Sequence, residues 1–229
     1  MSGADPAIRI PVPADLDPAS AAAFLRKVNS ANDADGRVIV LEGSPGVFCR
    51  GLDPACVHPE QSLEDLRVFA DALLSLRRVS KPVIAVVDGI ALGGGLGLVA
   101  AADVVVATER SNFGLPEAQR GLAPAIIMPF LVERMRLQQC RLWALSSYSR
   151  SAAEAVEAGI VDVLTTPAEL ASKTQYWIRQ MARAHPQSVF HVKRLTSSRD
   201  LESAVLEGLA LTTELLKRAG TLKQLHDHE

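Results

Sequence analysis

The sequence has few of the residues that define several large classes of protein. Its 229 residues include three cysteines, Cys49, Cys56 and Cys140, and no Cys-x-x-Cys pair. This number and spacing argue against a disulfide framework or a zinc knuckle and favour a reduced, cytoplasmic protein. We also expect no metal site, because the one closely spaced histidine pair, His226 and His228, lies in a polar terminal tail.

The sequence also lacks an excess of either charge and lacks long apolar runs. It has 24 Lys and Arg residues against 26 Asp and Glu, for a formal net charge of −2. A nucleic-acid partner is therefore not expected, since such a protein needs a basic stripe. No run approaches the roughly 20 apolar residues of a membrane span, and no signal-peptide pattern is visible, so we expect no membrane partner.

The sequence is rich in small apolar residues. Hydrophobic residues make up 48% of the chain and aromatic residues only 4%, which suffices for the core of one domain. Apolar, β-branched runs predict buried strands at residues 37–41, 83–87, 104–107 and 161–164. Amphipathic helices are predicted at 167–184 and 200–218, so we divide the chain into an α/β core (1–165) and a helical region (166–229).

Two glycine-centred turns follow predicted strands. Gly93-Gly94-Gly95 opens a helical segment, where free N–H groups meet the positive end of the helix. Gly51 is the centre of the second turn, Phe48-Cys49-Arg50-Gly51-Leu52-Asp53. Together the turns can place two backbone N–H groups on one carbonyl oxygen, as in an oxyanion hole. Tight helix–strand packing and an ordinary strand-exit turn are the alternative explanations.

Glu117 is the third candidate for chemistry. It follows a proline in an apolar stretch, where burial would raise its pKa and suit it to general acid–base catalysis. The alternative is a solvated surface carboxylate. We assign Asp103 to a structural or capping role and Cys49 to packing, because only Arg50 beside it would activate the thiol.

Taken together, these motifs resemble the enoyl-CoA hydratase/isomerase (crotonase) superfamily. The stretches that carry the resemblance are VFCRGLD (47–53), KPVIAVVDGIALGGGLGLVAAADVVVAT (81–108), FGLPEAQRGLAPA (113–125) and AAEAVEAGIVDVL (152–164), with Lys193. The ordered set spans roughly residues 37 to 195 and is much more specific than any one motif.

The resemblance implies an α/β spiral of ββα units followed by a helical trimerisation region, in a homotrimer or a dimer of trimers. It implies an acyl thioester substrate, carried on coenzyme A or on the phosphopantetheine of an acyl carrier protein, and no other cofactor. The backbone N–H groups of Leu52 and Gly94 would hold the enolate oxygen, and Glu117 would be the catalytic acid–base. Expected substrate-binding positions are Gly51, Gly93, Gly95, Gly97 and Leu115.

The chain departs from the family pattern at three places. Gly97 stands where enoyl-CoA hydratases carry the first of two glutamates, and Glu117 matches the second. The N-terminal region lacks the usual Asn-Ala-Leu segment. PAIIMPFL (124–131) replaces the usual Pro-Gly-x-Gly-Gly-Thr. This segment and Gly97 resemble crotonase-like dehydratases of polyketide β-branching, which act on 3-hydroxy-3-methylglutaryl groups held by acyl carrier protein.

We therefore predict a dehydratase of a 3-hydroxyacyl thioester in polyketide or related secondary metabolism. Two alternatives stay open: a Δ3,Δ2-enoyl-CoA isomerase that uses one glutamate, and a non-catalytic auxiliary subunit, which Glu117 and the intact glycine turns argue against. Delivery by a carrier protein is expected, for which a basic patch could serve. The candidates for that patch are Arg50, Arg77, Arg78 and Lys81.

Overall fold

Strands and helices alternate along the chain as far as Thr165, and the described elements after it are helices. The computed structural model describes residues 5–53, 56 and 62–226. In chain order the elements are β1 (Ala7–Pro11), α1 (Pro18–Asp33), β2 (Val38–Glu42), β3 (Gly46–Cys49), α2 (Ser62–Arg78), β4 (Val83–Val87), β5 (Gly89–Leu92), α3 (Gly94–Ala101), β6 (Val104–Thr108), β7 (Asn112–Gly114), a 3-10 helix (Pro116–Arg120), α4 (Met128–Arg134), α5 (Leu137–Ser146), β8 (Arg150–Ser151), α6 (Ala152–Ala158), β9 (Val163–Thr165), α7 (Leu170–Met181), α8 (Pro186–Thr196) and α9 (Leu201–His226).

The strands form two sheets. The larger sheet has the order β1-β2-β4-β6-β9 and is parallel throughout. The smaller sheet has the order β3-β5-β7-β8, in which β8 alone is antiparallel to its neighbour. Each repeating unit contributes its first strand to the larger sheet and its second to the smaller, and a helix follows. The ββα units that the resemblance implied are therefore present.

Local sequence explains where most elements begin and end. The continuous apolar runs of β2, β4 and β6 are buried, as expected for parallel strands covered on both faces. Asp17 and Ser20 form a capping box at the start of α1, and Ser151 and Glu154 form another at α6. Gly159 ends α6 with a φ of 89°, a conformation that glycine adopts readily.

Two hydrophobic clusters join the α/β part to the C-terminal helices. The apolar face of α2 is buried, and α9 contributes Leu201, Val205 and Leu209 to the same cluster. Ile178 of α7 belongs to the second cluster, with residues of β2, β4 and β6. The helices after residue 165 are therefore packed onto the α/β part. The role of the helical region in oligomerisation stays a prediction. Within the described ranges, no helix combines the length and hydropathy that crossing a bilayer requires.

The structure differs from the sequence prediction around Pro186. The predicted helix 167–184 is shorter, at Leu170–Met181, and α8 was not predicted. Pro186 occupies the first turn of α8, where its missing N–H costs nothing, and His185 before it is extended. The smaller sheet was also largely missed, because its strands have four residues or fewer and show little periodicity.

A buried ion pair attaches α8 to the sheet. Lys193 is 7% exposed, and its Nζ donates to Asp103 Oδ2 at 2.8 Å and to the carbonyl oxygens of Leu76 and Lys81 at 3.1 and 3.2 Å. The second role of Asp103 is to accept the backbone N–H of Val83 at 2.8 Å. Burial lowers the pKa of Lys193, and Asp103 opposes that shift. The structural assignment of Asp103 is confirmed.

We predict that Lys193→Met destabilises the fold by about 3–5 kcal/mol, because it leaves the Asp103 carboxylate without its cation. Urea unfolding followed by circular dichroism measures the change. Arg194→Met is the matched control on the same helix; Arg194 is exposed, and its replacement should change stability by less than about 0.5 kcal/mol. Equal effects of the two substitutions would show that the ion pair does not hold α8.

Candidate active site

The smaller sheet brings the three candidate motifs to one edge. β3, β5 and β7 are adjacent and parallel, so their carboxyl ends lie at the same edge of the sheet. Leu52 follows β3, Gly93 and Gly94 follow β5, and Glu117 follows β7. The predicted oxyanion and acid–base positions therefore lie together, and Leu52, Gly93, Gly94 and Glu117 line one pocket.

The two glycine turns are in direct backbone contact. Gly51 has a φ of 88°, which strongly favours glycine, and a methyl group on it would lie 2.7 Å from the amide nitrogen of Gly94. A methyl group on Gly95 would lie 2.2 Å from the carbonyl oxygen of Cys49. Side chains at these positions would force the ends of β3 and β5 apart.

Two backbone amides are left available by this contact. A methyl group on Gly94 would lie 3.4 Å from the amide nitrogen of Leu52, so the two amide groups are close neighbours. Neither amide has a hydrogen-bond acceptor among residues 5–53, 56 and 62–226. Gly94 is the first residue of α3, where the helix dipole favours negative charge. The arrangement can hold a carbonyl oxygen on which negative charge develops.

Glu117 lies in the first turn of the 3-10 helix, with its carboxylate beside Gly93. A methyl group on Gly93 would lie 2.9 Å from Glu117 Oε1. Oε2 is buried and has no hydrogen-bond partner in the described part of the chain. Burial raises the pKa of Glu117 to about 7, opposed by its own backbone N–H and by Arg120. A carboxyl group with this pKa can both accept and donate a proton near neutral pH.

The pocket encloses about 660 Å³, its open mouth included, and its wall is mostly apolar. Sequence reasoning missed much of this wall. The residues that it did not assign to the site are Leu66, Phe69, Pro116, Arg120, Leu122, Ala123, Pro124, Ala125, Ile126, Ile127, Thr212 and Leu216. The unusual PAIIMPFL segment could have indicated part of this set. No sequence motif marks Thr212 and Leu216 of α9, because only packing brings them to the pocket.

Gly97 and Ile127 are in steric contact. A methyl group on Gly97 would lie 2.3 Å from Ile127 Cγ2 and 2.9 Å from Ile127 Cβ. Ile127 is 3% exposed and lines the pocket. Two of the departures from the family pattern are therefore coupled. Ile127, in the altered segment after Glu117, fills the space that a side chain at position 97 would occupy.

Four of the expected substrate-binding residues support the pocket from behind. Gly51, Gly95 and Gly97 are buried and pack against Gly94, Cys49 and Ile127 respectively. Leu115 is fully buried in the core and does not line the described pocket, so a substrate contact for it stays a prediction. It anchors the segment that carries Glu117, which is a supporting role.

Each basic residue of the expected carrier patch has an intramolecular partner. Arg50 forms a two-pronged pair with Asp15, and the other three interact within the fold. Those interactions join Arg77 to Glu133, Arg78 to Glu202, and Lys81 to the carbonyl oxygens of Ala31 and Ala34. Because all four residues are paired within the fold, they no longer support the expected basic patch for a carrier protein.

Cys49 is a packing residue, as predicted. Its side chain is fully buried, and burial raises the pKa of the thiol to about 12, so the thiol stays protonated at neutral pH. The sulfur accepts a weak hydrogen bond from the backbone N–H of Gly51 at 3.4 Å. Cys49 thus stabilises the glycine turn.

Known proteins are similar to this chain in sequence. A family model described as enoyl-CoA hydratase/isomerase matches residues 22–226. The bacillaene synthase dehydratase PksH of Bacillus subtilis is 28% identical over 193 residues, 82% of this chain and 74% of that protein. The mevalonyl-coenzyme A hydratase sidH of Aspergillus fumigatus is 35% identical over 156 residues, 66% of this chain and 58% of that protein. This chain thus spans little more than half the length of sidH.

Solved structures share the fold over nearly the whole chain. An enoyl-CoA hydratase from Mycobacterium avium superposes with a TM-score of 0.80 at 28% identity and covers 97% of this chain and 92% of its own. The structure of PksH from Bacillus subtilis has a TM-score of 0.82 at 23% identity and covers 94% of this chain and 90% of its own. With the family model matching most of its length, the chain belongs to the enoyl-CoA hydratase/isomerase family.

Proposed function

We propose that this protein is a dehydratase of a 3-hydroxyacyl thioester, of the 3-hydroxy-3-methylglutaryl type, in polyketide or related secondary metabolism. One observation carries the proposal: Glu117 is the single carboxylate that lines the described pocket, beside the amides of Leu52 and Gly94. Position 97, from which a second carboxylate would project, is a glycine packed against Ile127. Among the described residues, Glu117 is therefore the acid–base group that the chemistry can use.

Dehydration with one carboxylate needs two proton transfers by the same group. Glu117 accepts the α-proton, and the electron pair of the C–H bond moves into the thioester carbonyl, whose oxygen is held by Leu52 and Gly94. The enolate then re-forms the carbonyl as the bond from the β-carbon to the hydroxyl oxygen breaks. Glu117 returns its proton to the departing hydroxyl, and the products are water and a 2-enoyl thioester.

The environment of Glu117 suits both transfers. Burial raises the pKa of Glu117 to about 7, so neither the carboxylate nor the acid is strongly favoured at neutral pH. The unpartnered, buried Oε2 is free to take the proton without first giving up another hydrogen bond. A pKa near the working pH gives an acid–base catalyst its largest effect.

Similarity to proteins with matching names supports dehydration or hydration. PksH is named a dehydratase, as is the carnitinyl-CoA dehydratase of Proteus mirabilis, which is 29% identical over 204 residues, 84% of this chain and 73% of that protein. The sidH protein is named a hydratase. These names describe the two directions of one reaction class, the loss or addition of water at an acyl thioester.

Isomerisation is the second candidate, because it too needs one carboxylate. Glu117 would take the α-proton of a 3-enoyl thioester and return it to the γ-carbon. A non-catalytic subunit fits less well, since burial of the Glu117 carboxylate with Oε2 unpartnered destabilises the fold and a binding protein gains nothing from it. The acyl substrate separates the two enzymatic candidates directly.

We expect the acyl group to arrive on a carrier protein. Arg50 and Arg120 are the cationic side chains that line the pocket in the described part of the chain. Arg50 is paired with Asp15, whereas Arg120 is exposed and has no hydrogen-bonded acidic partner among the described residues. One available cation suits the single phosphodiester of a phosphopantetheine arm better than the several phosphates of coenzyme A.

The substrate test is incubation with 3-hydroxy-3-methylglutaryl-carrier protein and with 3-enoyl-CoA, followed by mass spectrometry and ultraviolet absorbance. We expect loss of one water from the first and little change in the second. Glu117→Gln should reduce turnover by roughly two to four orders of magnitude, because it removes the base. Turnover of only the 3-enoyl thioester would make the protein an isomerase, and near-normal turnover by folded Glu117→Gln would remove Glu117 from the mechanism.

The pH profile provides a separate prediction. The reaction begins with the carboxylate form of Glu117, so kcat/KM should rise with pH, with an apparent pKa of about 7, and level off above it. Steady-state assays between pH 5 and 9 measure this profile. A rate that does not change across this range would show that Glu117 does not titrate in the free enzyme.

Leu52 is predicted to act through its backbone. Leu52→Pro removes the N–H and should raise the reaction barrier by at least about 2.7–4 kcal/mol, as for other oxyanion donors. Leu52→Ala keeps the N–H and is the matched control, with a mild effect expected. Single-turnover rates of both variants, with circular dichroism to confirm folding, measure the difference. Comparable losses in both variants would assign the effect to the side chain.

Carrier preference is tested by comparing kcat/KM for the same acyl group on carrier protein and on coenzyme A. We expect the carrier-bound thioester to be the better substrate, because the described pocket offers one available cation for a phosphate group. Equal efficiency for both carriers would favour an ordinary coenzyme A enzyme.

A further inference from the structure

Glu117 and Arg120 lie on one face of the same short helix. Both belong to the 3-10 helix Pro116–Arg120, and in a 3-10 helix the side chains of residues three apart lie one above the other. Both residues also line the pocket. The negative charge that Glu117 carries as a base is therefore located beside the positive charge of Arg120.

The backbone fixes the spacing of these two residues. The carbonyl oxygen of Glu117 accepts the N–H of Leu122 at 3.0 Å, which closes the turn after Arg120. Gly121 ends the helix with a φ of 69°, a conformation that strongly favours glycine. The carboxyl and guanidinium groups thus project from one closed turn of chain.

The other charged groups around Glu117 are engaged elsewhere. Arg50, which also lines the pocket, is paired with Asp15. Arg141 belongs to α5, which packs against the 3-10 helix, and its side chain bonds within α5. The remaining described residues that line the pocket, from α2, α3, α9 and the loops, are uncharged. Arg120 itself has no acidic hydrogen-bond partner within the described ranges.

We propose that Arg120 is a positioning residue that keeps Glu117 in the charged, proton-accepting form at neutral pH. Burial of a carboxyl group disfavours its charged form, and a nearby cation favours that form. Here burial raises the pKa of Glu117, Arg120 opposes this effect, and the resulting value is about 7. Without Arg120 the acid form would predominate at pH 7 and less base would be available. The proposal rests on the proposed function in taking Glu117 as the base.

The pH profile of kcat/KM in Arg120→Gln tests this role. At pH 6 we expect kcat/KM to fall by about three- to tenfold, because the carboxylate form becomes rarer. At pH 9 Glu117 has lost its proton in both proteins, so the values should agree within about twofold. Arg120→Lys keeps the positive charge and should restore most of the rate at pH 6.

Arg141→Gln is the matched control, since it removes an equal charge from the neighbouring helix, outside the pocket. Its pH profile should match that of the unaltered protein. An equal loss of kcat/KM at pH 6 and pH 9 in Arg120→Gln would overturn the proposal, as would the same change of profile in Arg141→Gln.

Direct titration tests the charge effect without a substrate. Carbon-13 NMR of protein labelled at the glutamate carboxyl carbons follows the signal of Glu117, which is identified by its absence from Glu117→Gln. The midpoint of its titration should lie at a higher pH in Arg120→Gln and stay unchanged in Arg141→Gln. A midpoint that does not move in Arg120→Gln would show that the charge of Arg120 does not act on the carboxyl group.

Ionic strength provides a second criterion in the same experiment. Arg120 is exposed, and raising the salt concentration from about 0.1 M to about 1 M shortens the Debye length from about 10 Å to about 3 Å. The midpoint in the unaltered protein should then move toward that of Arg120→Gln, whose own midpoint should change less. Equal salt dependence in the two proteins would contradict the proposal.

These measurements separate the role of Arg120 from the proposed function. A protein that turns over no 3-hydroxyacyl thioester, but in which the Glu117 midpoint rises in Arg120→Gln, would disprove the dehydratase function and leave the charge effect of Arg120 standing. A protein that dehydrates its substrate with the same pH profile in Arg120→Gln would disprove the role of Arg120 alone.

Discussion

The geometry of the site depends on two segments of backbone that touch with no side chain between them. At the carboxyl ends of β3 and β5, Gly51 lies against the amide of Gly94, and Gly95 lies against the carbonyl of Cys49. Only this close approach brings the amides of Leu52 and Gly94 to one place. Backbone groups fixed in this way need no reorganisation when charge develops on a bound oxygen, which makes them effective in catalysis.

The second constraint is a carboxylate that the fold holds in an unfavourable environment. Burial raises the pKa of Glu117 in the folded protein to about 7, from an ordinary value of 4.5. Because the folded-state pKa is the higher one, the native state binds more protons between these values, and stability falls as the pH rises from about 4.5 to about 7. Above that range the charged group opposes folding. A buried carboxyl group with a pKa raised in this way is typical of a functional site.

Much of the fold was predictable because its signals are local. The apolar runs of β2, β4 and β6, the capping boxes at Asp17 and Ser151 and the glycine after α6 each act within a few residues. The break between α7 and α8 was missed, although Pro186 marks it. The predicted site residues Leu52, Gly94 and Glu117 come together because each follows a strand of the same parallel sheet.

The remaining parts of the site depend on contacts that sequence patterns do not contain. Nothing near Gly97 in the sequence indicates that Ile127, thirty positions later, occupies its side-chain space. Likewise, the apolar stripe of α9 predicts burial but not the partner against which it is buried. Such contacts depend on the tertiary packing of several elements at once, so the pocket wall emerged only from the structure.

The helical region contributes to the candidate active site within the same chain. The resemblance assigned residues 166–229 to oligomerisation, but Thr212 and Leu216 of α9 line the pocket within the same chain. Gly208 makes this possible, since it allows the helix backbone to rest on Ala125. Through that contact α9 fixes the segment that carries Ile127, and α2, which lies against α9, contributes Leu66 and Phe69 to the same wall. A shift of α9 would therefore change the pocket wall and the side chain that fills position 97 together.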